Sequence, residues 1–245
     1  MLPLSRLAAA AALALFAVPA VAQEESPWSV SGGVWAISDY VWRGVSQTQE
    51  DPTLQAELAA EHASGFYVGA LLSGVDFTPS GADWDDGIDY EVNAYIGWNG
   101  QISDTLTLDL FYTRVAYPGS ESDFEQDFDE YSAVLGIGEH YAAEVTYSPD
   151  TVNLGSSAWY YRLSGEWALG DSGFTLGAGA GLYDLGRELG GSYKDFDVSL
   201  ARSFGNVALK LSYFDTSGYS EEIAESLGER HLADGRVVLS AGYEF

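Results

Sequence analysis

The side chains able to do chemistry in this chain are its acids and its few cations. Asp and Glu total 37 against 10 Lys and Arg, a net charge of −27. Phosphate recognition needs clustered Lys and Arg, so a nucleic-acid partner is not expected. The histidines, His62, His140 and His231, are far apart, without metal-ligand spacing and without an H-E-x-x-H. No Gly-x-Ser-x-Gly elbow occurs, and Gly177-Ala178-Gly179-Ala180-Gly181 lacks the spacing of a nucleotide-binding loop. The acidic run Asp83-Trp84-Asp85-Asp86-Gly87-Ile88-Asp89 does not fit the calcium-loop pattern. It reads as a solvated face, with divalent bridging to lipopolysaccharide as the alternative. No catalytic motif, cofactor or metal site is expected.

The pattern in the charges is parity. Asp39, Glu57, Glu61, Glu91, Asp109, Glu144, Glu166, Asp195, Asp197 and Glu244 fall on the polar side of alternating segments. Arg43, Arg162, Lys210 and Arg236 share that side. A basic side chain facing lipid at the bilayer midplane costs about 2–4 kcal/mol, so all fourteen are expected to face inward and line a lumen. Acids would dominate it, and rings of Asp and Glu favour cations in pores. The expectation is a weakly cation-preferring path for small polar solutes or cations. The competing reading is that the charges pair across a packed interior and conduct nothing. For Asp39 and Arg43, near the outer end of the first segment, the alternatives are a constriction or solute contact, and salt bridges to neighbouring strands that fix the barrel.

The elements that would position these residues are strands. From Trp28 onward the chain alternates at period two in runs of about ten residues, the pattern of a transmembrane barrel strand. Twelve such segments lie near 28–42, 53–62, 66–76, 88–98, 106–116, 130–139, 141–148, 159–169, 174–184, 193–203, 207–215 and 236–245. In the eighth, Trp159, Tyr161, Leu163, Trp167 and Leu169 oppose Tyr160, Arg162, Ser164 and Glu166. The run from Tyr131 to Gly138 is ambiguous, being apolar or glycine on both sides.

The links between segments alternate strictly. Ala63-Ser64-Gly65, Asn99 to Thr105, Glu139-His140, Gly170 to Gly173 and Phe204-Gly205-Asn206 are short. Phe77–Gly87, Tyr117–Asp129 and Thr216–Gly235 are long and acidic. Tight turns at one end and long loops at the other are the habit of outer-membrane barrels, turns periplasmic and loops outside. The fold class is therefore all-β: an antiparallel, up-and-down transmembrane barrel of about 12 strands. Aromatics toward strand ends fit headgroup-level girdles: Tyr40, Trp42, Trp98, Tyr112, Tyr117, Trp159, Tyr161, Trp167, Tyr213 and Tyr243.

Residues 1–22 read as a secretory signal peptide. Arg6 precedes an apolar stretch too short to span a bilayer, and Ala20-Val21-Ala22 is a small-x-small cleavage site. The barrel domain would then occupy 23–245 in the bacterial outer membrane, surrounded by lipid and lipopolysaccharide. Cysteine is absent, so a closed backbone ladder must supply what disulfides supply in other exported proteins.

Two stretches resemble known signatures. Tyr243-Glu244-Phe245, with an aromatic last residue on the lipid-facing parity, resembles the C-terminal strand signal read by the outer-membrane assembly machinery. Ser38-Asp39-Tyr40-Val41-Trp42-Arg43-Gly44-Val45-Ser46-Gln47-Thr48, followed by Asp51-Pro52, resembles the N-terminal signature of the TorF porin family, also called Gcw_chp. Ser64 to Gly69, Val75-Asp76-Phe77 and Tyr117-Pro118-Gly119 extend the likeness along the chain. The resemblance implies a porin and brings no catalytic residues. A non-conducting structural or adhesive barrel acting through its acidic loops is the alternative function.

Overall fold

Alternation becomes closure in the computed structural model, which describes residues 26–79, 82–84, 86–121 and 124–245. The proposed signal peptide and its cleavage point lie outside the described residues. The barrel strands of the first half are β1 (Trp28–Ile37), β4 (Thr53–His62), β5 (Phe66–Gly74), β6 (Tyr90–Ser103), β7 (Leu106–Ala116) and β8 (Phe128–Ile137). Those of the second half are β9 (Tyr141–Ser148), β10 (Ala158–Ala168), β11 (Phe174–Asp184), β12 (Ser192–Phe204), β13 (Val207–Ser217) and β14 (Arg236–Glu244). Two very short strands, β2 (Val41–Trp42) and β3 (Val45–Ser46), form a hairpin of their own. One short helix, α1 (Glu221–Leu227), lies between β13 and β14.

Each of the twelve barrel strands pairs antiparallel with its neighbours around a closed ring. Closure runs from Gly33↔Glu244 to Ile37↔Ser240 between β1 and β14. Gly32 and Phe245 add two backbone hydrogen bonds of 2.9 Å. Every strand thus finds partners on both edges, the condition for a sheet to cross lipid. No described helix is long and apolar enough to cross a membrane.

Register fixes the two faces. Val30, Leu58, Phe66, Val68, Ile96, Leu163, Val198, Leu211, Val237 and Leu239 point outward and are exposed. Tyr112, Tyr131, Tyr147 and Trp159 sit side by side across β7 to β10 as one outward aromatic row. Trp98, Tyr161, Tyr213 and Tyr243 are also outward and exposed or half-buried.

Three expectations need correction. The first strand ends at Ile37, not near Trp42, because the chain there turns into the barrel and forms the β2–β3 hairpin. Consequently Tyr40 and Trp42 are interior residues, as is Tyr117, and none of the three belongs to a girdle. Finally, the acidic run 83–89 is not simply a solvated face, since Asp86 and Ile88 are buried, and the longest loop packs inward too. Tyr219, Ile223, Leu232 and Ala233 from the longest loop are buried, because they pack beneath the hairpin and against the barrel wall. A smaller difference is that β6 runs on to Ser103 through a register shift near its end, which leaves Asp104-Thr105 as the turn.

The glycine-alanine run of β11 has a packing reason. Its glycines, 177, 179 and 181, face inward, and Ala178 and Ala180 face out. A Cβ on Gly179 would collide with the Arg162 guanidinium and stand 2.7 Å from Asp197 Oδ1. Overfilling a packed interior costs typically about 1–3 kcal/mol. Gly179→Val should therefore lower the melting temperature of the folded barrel, whereas the outward Ala180→Val should leave it nearly unchanged; heat-modified gel mobility reads the difference.

Candidate functional site: the lumen and its hairpin

Strand register puts twelve of the charged residues on one face. Cross-strand pairing places Glu57, Glu61, Glu91, Asp109, Glu144, Arg162, Glu166, Asp195, Asp197, Lys210, Arg236 and Glu244 on the inward face. Asp39 and Arg43 also lie inside, but on the segment that enters the barrel and not on β1. Sequence reasoning missed Glu130, which shares the inward face of β8 with Phe128 and Ser132. The signal was present as the Phe128, Glu130, Ser132 parity, but apolar and glycine residues on both sides of the same strand masked it.

The lumen has two unlike halves. At the loop end it is filled. Val45, Ala158, Tyr160, Tyr183, Leu185, Tyr193, Tyr219 and Ile223 form one buried cluster, and Val75, Ile88, Val115, Tyr117 and Phe128 form another. Trp42 packs against both, its ring 5.7 Å from Tyr183 and 6.2 Å from Phe128. Toward the turn end small inward residues such as Ala59, Ala142, Ser164, Gly177 and Ser203 stand among carboxylates, while the Tyr95 ring lies over Gly69 and the Tyr67 ring over Gly97.

The hairpin is built to sit in the filled half. Its turn is Arg43-Gly44, with φ of +48° and +84°, the sign that a two-residue type I′ turn demands at both positions. Glycine takes such angles freely, but arginine does so only when its surroundings hold it. Arg43 is held firmly. Its guanidinium lies 4.3 Å from the Trp42 ring, 4.4 Å from Tyr160 and 4.5 Å from Tyr183. It donates to Glu130 at 2.7 Å, and its carbonyl accepts from the Tyr193 hydroxyl at 3.0 Å. Burial by itself would lower the Arg43 pKa, yet Glu130 beside it leaves it raised, so the charge is secure.

The rest of the signature closes around the hairpin. Asp39 accepts from Ser46 at 2.6 Å and from Thr48 at 3.0 Å, and pairs with Arg236 of β14 at 2.9 Å. Tyr40 donates to Glu91 at 3.1 Å, and Tyr117 donates to the other oxygen of Glu91 at 2.9 Å. Burial, with Glu91 adding to it, pushes both phenols well above their usual range. Of the two readings for Asp39 and Arg43, the salt bridges are what the structure contains.

Arg162 neutralises a second group. It bridges Asp195 at 3.4 Å and is paired still more closely with Asp197. Tyr160 also donates to Asp195, at 3.1 Å. On the wall formed by β4 to β7, neutral donors orient the acids: Tyr67 donates to Asp109 at 2.6 Å, Asn99 to Glu61 at 3.0 Å, and Tyr95 to Glu57. Glu144 accepts from Thr146 at 3.1 Å. Among the described residues Glu144, Glu166 and Glu244 form no ion pair.

The histidines lie apart from this lumen, His62 and His140 at turns and His231 in the longest loop. Among the described residues no group of three His, Cys, Asp or Glu is arranged to hold a metal ion. In the acidic run, the Asp86 carboxylate accepts from the Ile88 amide at 2.8 Å and its carbonyl accepts from Glu121, which makes it a loop brace.

Residues 21–245 match the family described as "Bacterial protein of unknown function (Gcw_chp)". No curated protein shows a significant match. Among solved structures, the KdgM porin superposes with a TM-score of 0.54 at 7% identity, covering 88% of this chain and 99% of that one. The NanC porin gives 0.54 at 8% identity, over 89% and 99%. An outer-membrane channel from Pseudomonas putida F1 gives 0.50 at 13% identity, over 94% and 99%. At such identities the likeness speaks for the fold.

Proposed function

The chain belongs to the Gcw_chp family, and we propose that it is an outer-membrane channel for passive passage of small solutes, weakly preferring cations. The hairpin closes its outer half in the state described here. The observation that carries this reading is the charge of the inward face. Glu57, Glu61, Glu91, Asp109, Glu130, Glu144, Glu166, Asp195, Asp197 and Glu244 outnumber Arg162, Lys210 and Arg236 on the strands. An acid excess lowers the energy of a cation in the lumen relative to an anion. The width of a twelve-stranded barrel lies between barrels that fill with side chains and porins that leave a channel, so the hairpin decides whether a path exists. The resemblance to TorF porins implies the same role.

The apolar outer face suits lipid and lipopolysaccharide, and Tyr243 and Phe245 are the residues we assign to recognition by the assembly machinery. Glu144, Glu166 and Glu244 offer a test in which no ion pair among the described residues is lost, although Glu144 also adds to the field that keeps Arg43 charged. In planar bilayers under a salt gradient, the triple substitution Glu144→Gln/Glu166→Gln/Glu244→Gln should move the reversal potential toward zero without abolishing conductance. An unchanged reversal potential would count against an acid-controlled lumen.

One observation favours a second reading. With its loop-end half packed, the barrel could be non-conducting and act through its loops, where Trp84 and Phe124 stack at 5.3 Å with Trp84 exposed. Such a barrel would stay silent in bilayers even with the hairpin removed.

A further inference from the structure

Arg43 occupies a site that the barrel wall builds without it. Tyr160 belongs to β10, Tyr183 to β11 and Glu130 to β8, so three strands contribute one cationic pocket. The rings are oriented by bonds of their own. The Tyr160 hydroxyl donates to Asp195 at 3.1 Å, and the Tyr183 hydroxyl shares a 2.7 Å hydrogen bond with Thr151. The two rings meet edge to face at 5.9 Å. None of these contacts involves the hairpin. With both rings fixed by bonds of their own, the pocket is preorganised on its aromatic side, and Glu130 completes it. Aromatic faces and a carboxylate converging on one point select a cation, and a planar one most of all.

We propose that Tyr160, Tyr183 and Glu130 form a binding site on the solute path for guanidinium-bearing or related organic cations, which Arg43 fills as a tethered stand-in. This rests on the channel reading and gives it a solute class. A solute cation entering the pocket displaces Arg43. The hairpin then loses its ion pair and its ring contacts together, while its turn is left with an arginine at positive φ held only by the Tyr193 hydroxyl on its carbonyl. Binding and opening are thereby one event, since the ligand prefers the state without Arg43 in the pocket.

The test uses the protein purified in detergent from outer membranes, with methylguanidinium as probe and urea and sodium chloride as controls. In Arg43→Ala the pocket is vacated, and methylguanidinium at ten times its dissociation constant should raise the melting temperature by about 3–6 °C. Wild type, its pocket filled, should show much less, and Arg43→Ala/Glu130→Gln should show none. Should Arg43→Ala not fold, Arg43→Gln keeps the stem packed on Trp42 and carries the same comparison. An equal shift in wild type and variant, or a shift matched by sodium chloride, would overturn the site. Melting is read without any channel, so a barrel that never conducts but shows this pattern sinks the channel reading and leaves the pocket standing.

Discussion

Replacing Val41–Ser46 by two glycines is expected to raise the single-channel conductance by roughly an order of magnitude, because a barrel of this size is wide enough to conduct only when its interior is cleared. At the backbone the excision is modest, although it also takes away the Ser46 hydroxyl that donates to Asp39 and leaves Glu130 without its cation. The Gln47 amide donates to the Tyr40 carbonyl at 2.7 Å, so the ends to be joined already touch. What leaves is the part that occupies the lumen: Trp42, which packs against both buried clusters, and Arg43, which ties the hairpin to β8, β10 and β11. Tyr219, Ile223 and Leu232 stay behind, so the opening is partial and the variant should flicker. Planar-bilayer recordings of wild type and variant at the same voltage provide the comparison. Equal conductance would mean that the hairpin is not the barrier.

Arg162→Met is the second large effect, and it falls on stability. Asp195 and Asp197 both lean on this one guanidinium, and the Asp195 side chain is only 5% exposed. Removing one partner of a buried ion pair typically costs about 3–5 kcal/mol, because the other charge is left uncompensated. Methionine keeps most of the volume, so the loss reports charge and not a cavity. Arg162→Met/Asp195→Asn/Asp197→Asn should recover most of it, since neutral amides no longer need the cation. Urea titration followed by heat-modifiable mobility checks both. A single variant as stable as wild type would show that water already solvates the pair.

Most of the barrel was legible in the sequence, because a strand with lipid on one side and a polar lumen on the other must alternate, and five turns of a few residues fix the register. β4, β7, β9 and β11 have the expected bounds. The inward parity of the charged residues was readable for the same reason. What the sequence concealed was the fate of the loops. Tyr40, Trp42 and Tyr117 are amphipathic aromatics near strand ends, and periodicity cannot distinguish a ring at the headgroups from a ring turned into the barrel mouth. Only the Arg43-Gly44 turn distinguishes them, and its meaning depends on Tyr160, Tyr183 and Glu130, more than eighty residues away. The charge balance was readable as a sum but not as pairs. Arg162 with Asp195 and Asp197, and Arg236 with Asp39, are contacts between residues distant in sequence. Glu130 escaped because its strand has no clean polar face.

The chain contains no cysteine, which permits a direct measurement of the hairpin's role. Val45 and Ala233 lie in the same buried cluster, where β3 packs against residues 230–233. A Val45→Cys/Ala233→Cys barrel, oxidised, holds the hairpin in place and can be released by reductant in the same bilayer. Near silence is expected while the disulfide is intact, then intermittent openings with cation-side reversal once it is reduced, made more frequent by methylguanidinium. Current that is the same before and after reduction would contradict the hairpin as barrier, and silence in both states would contradict the channel itself.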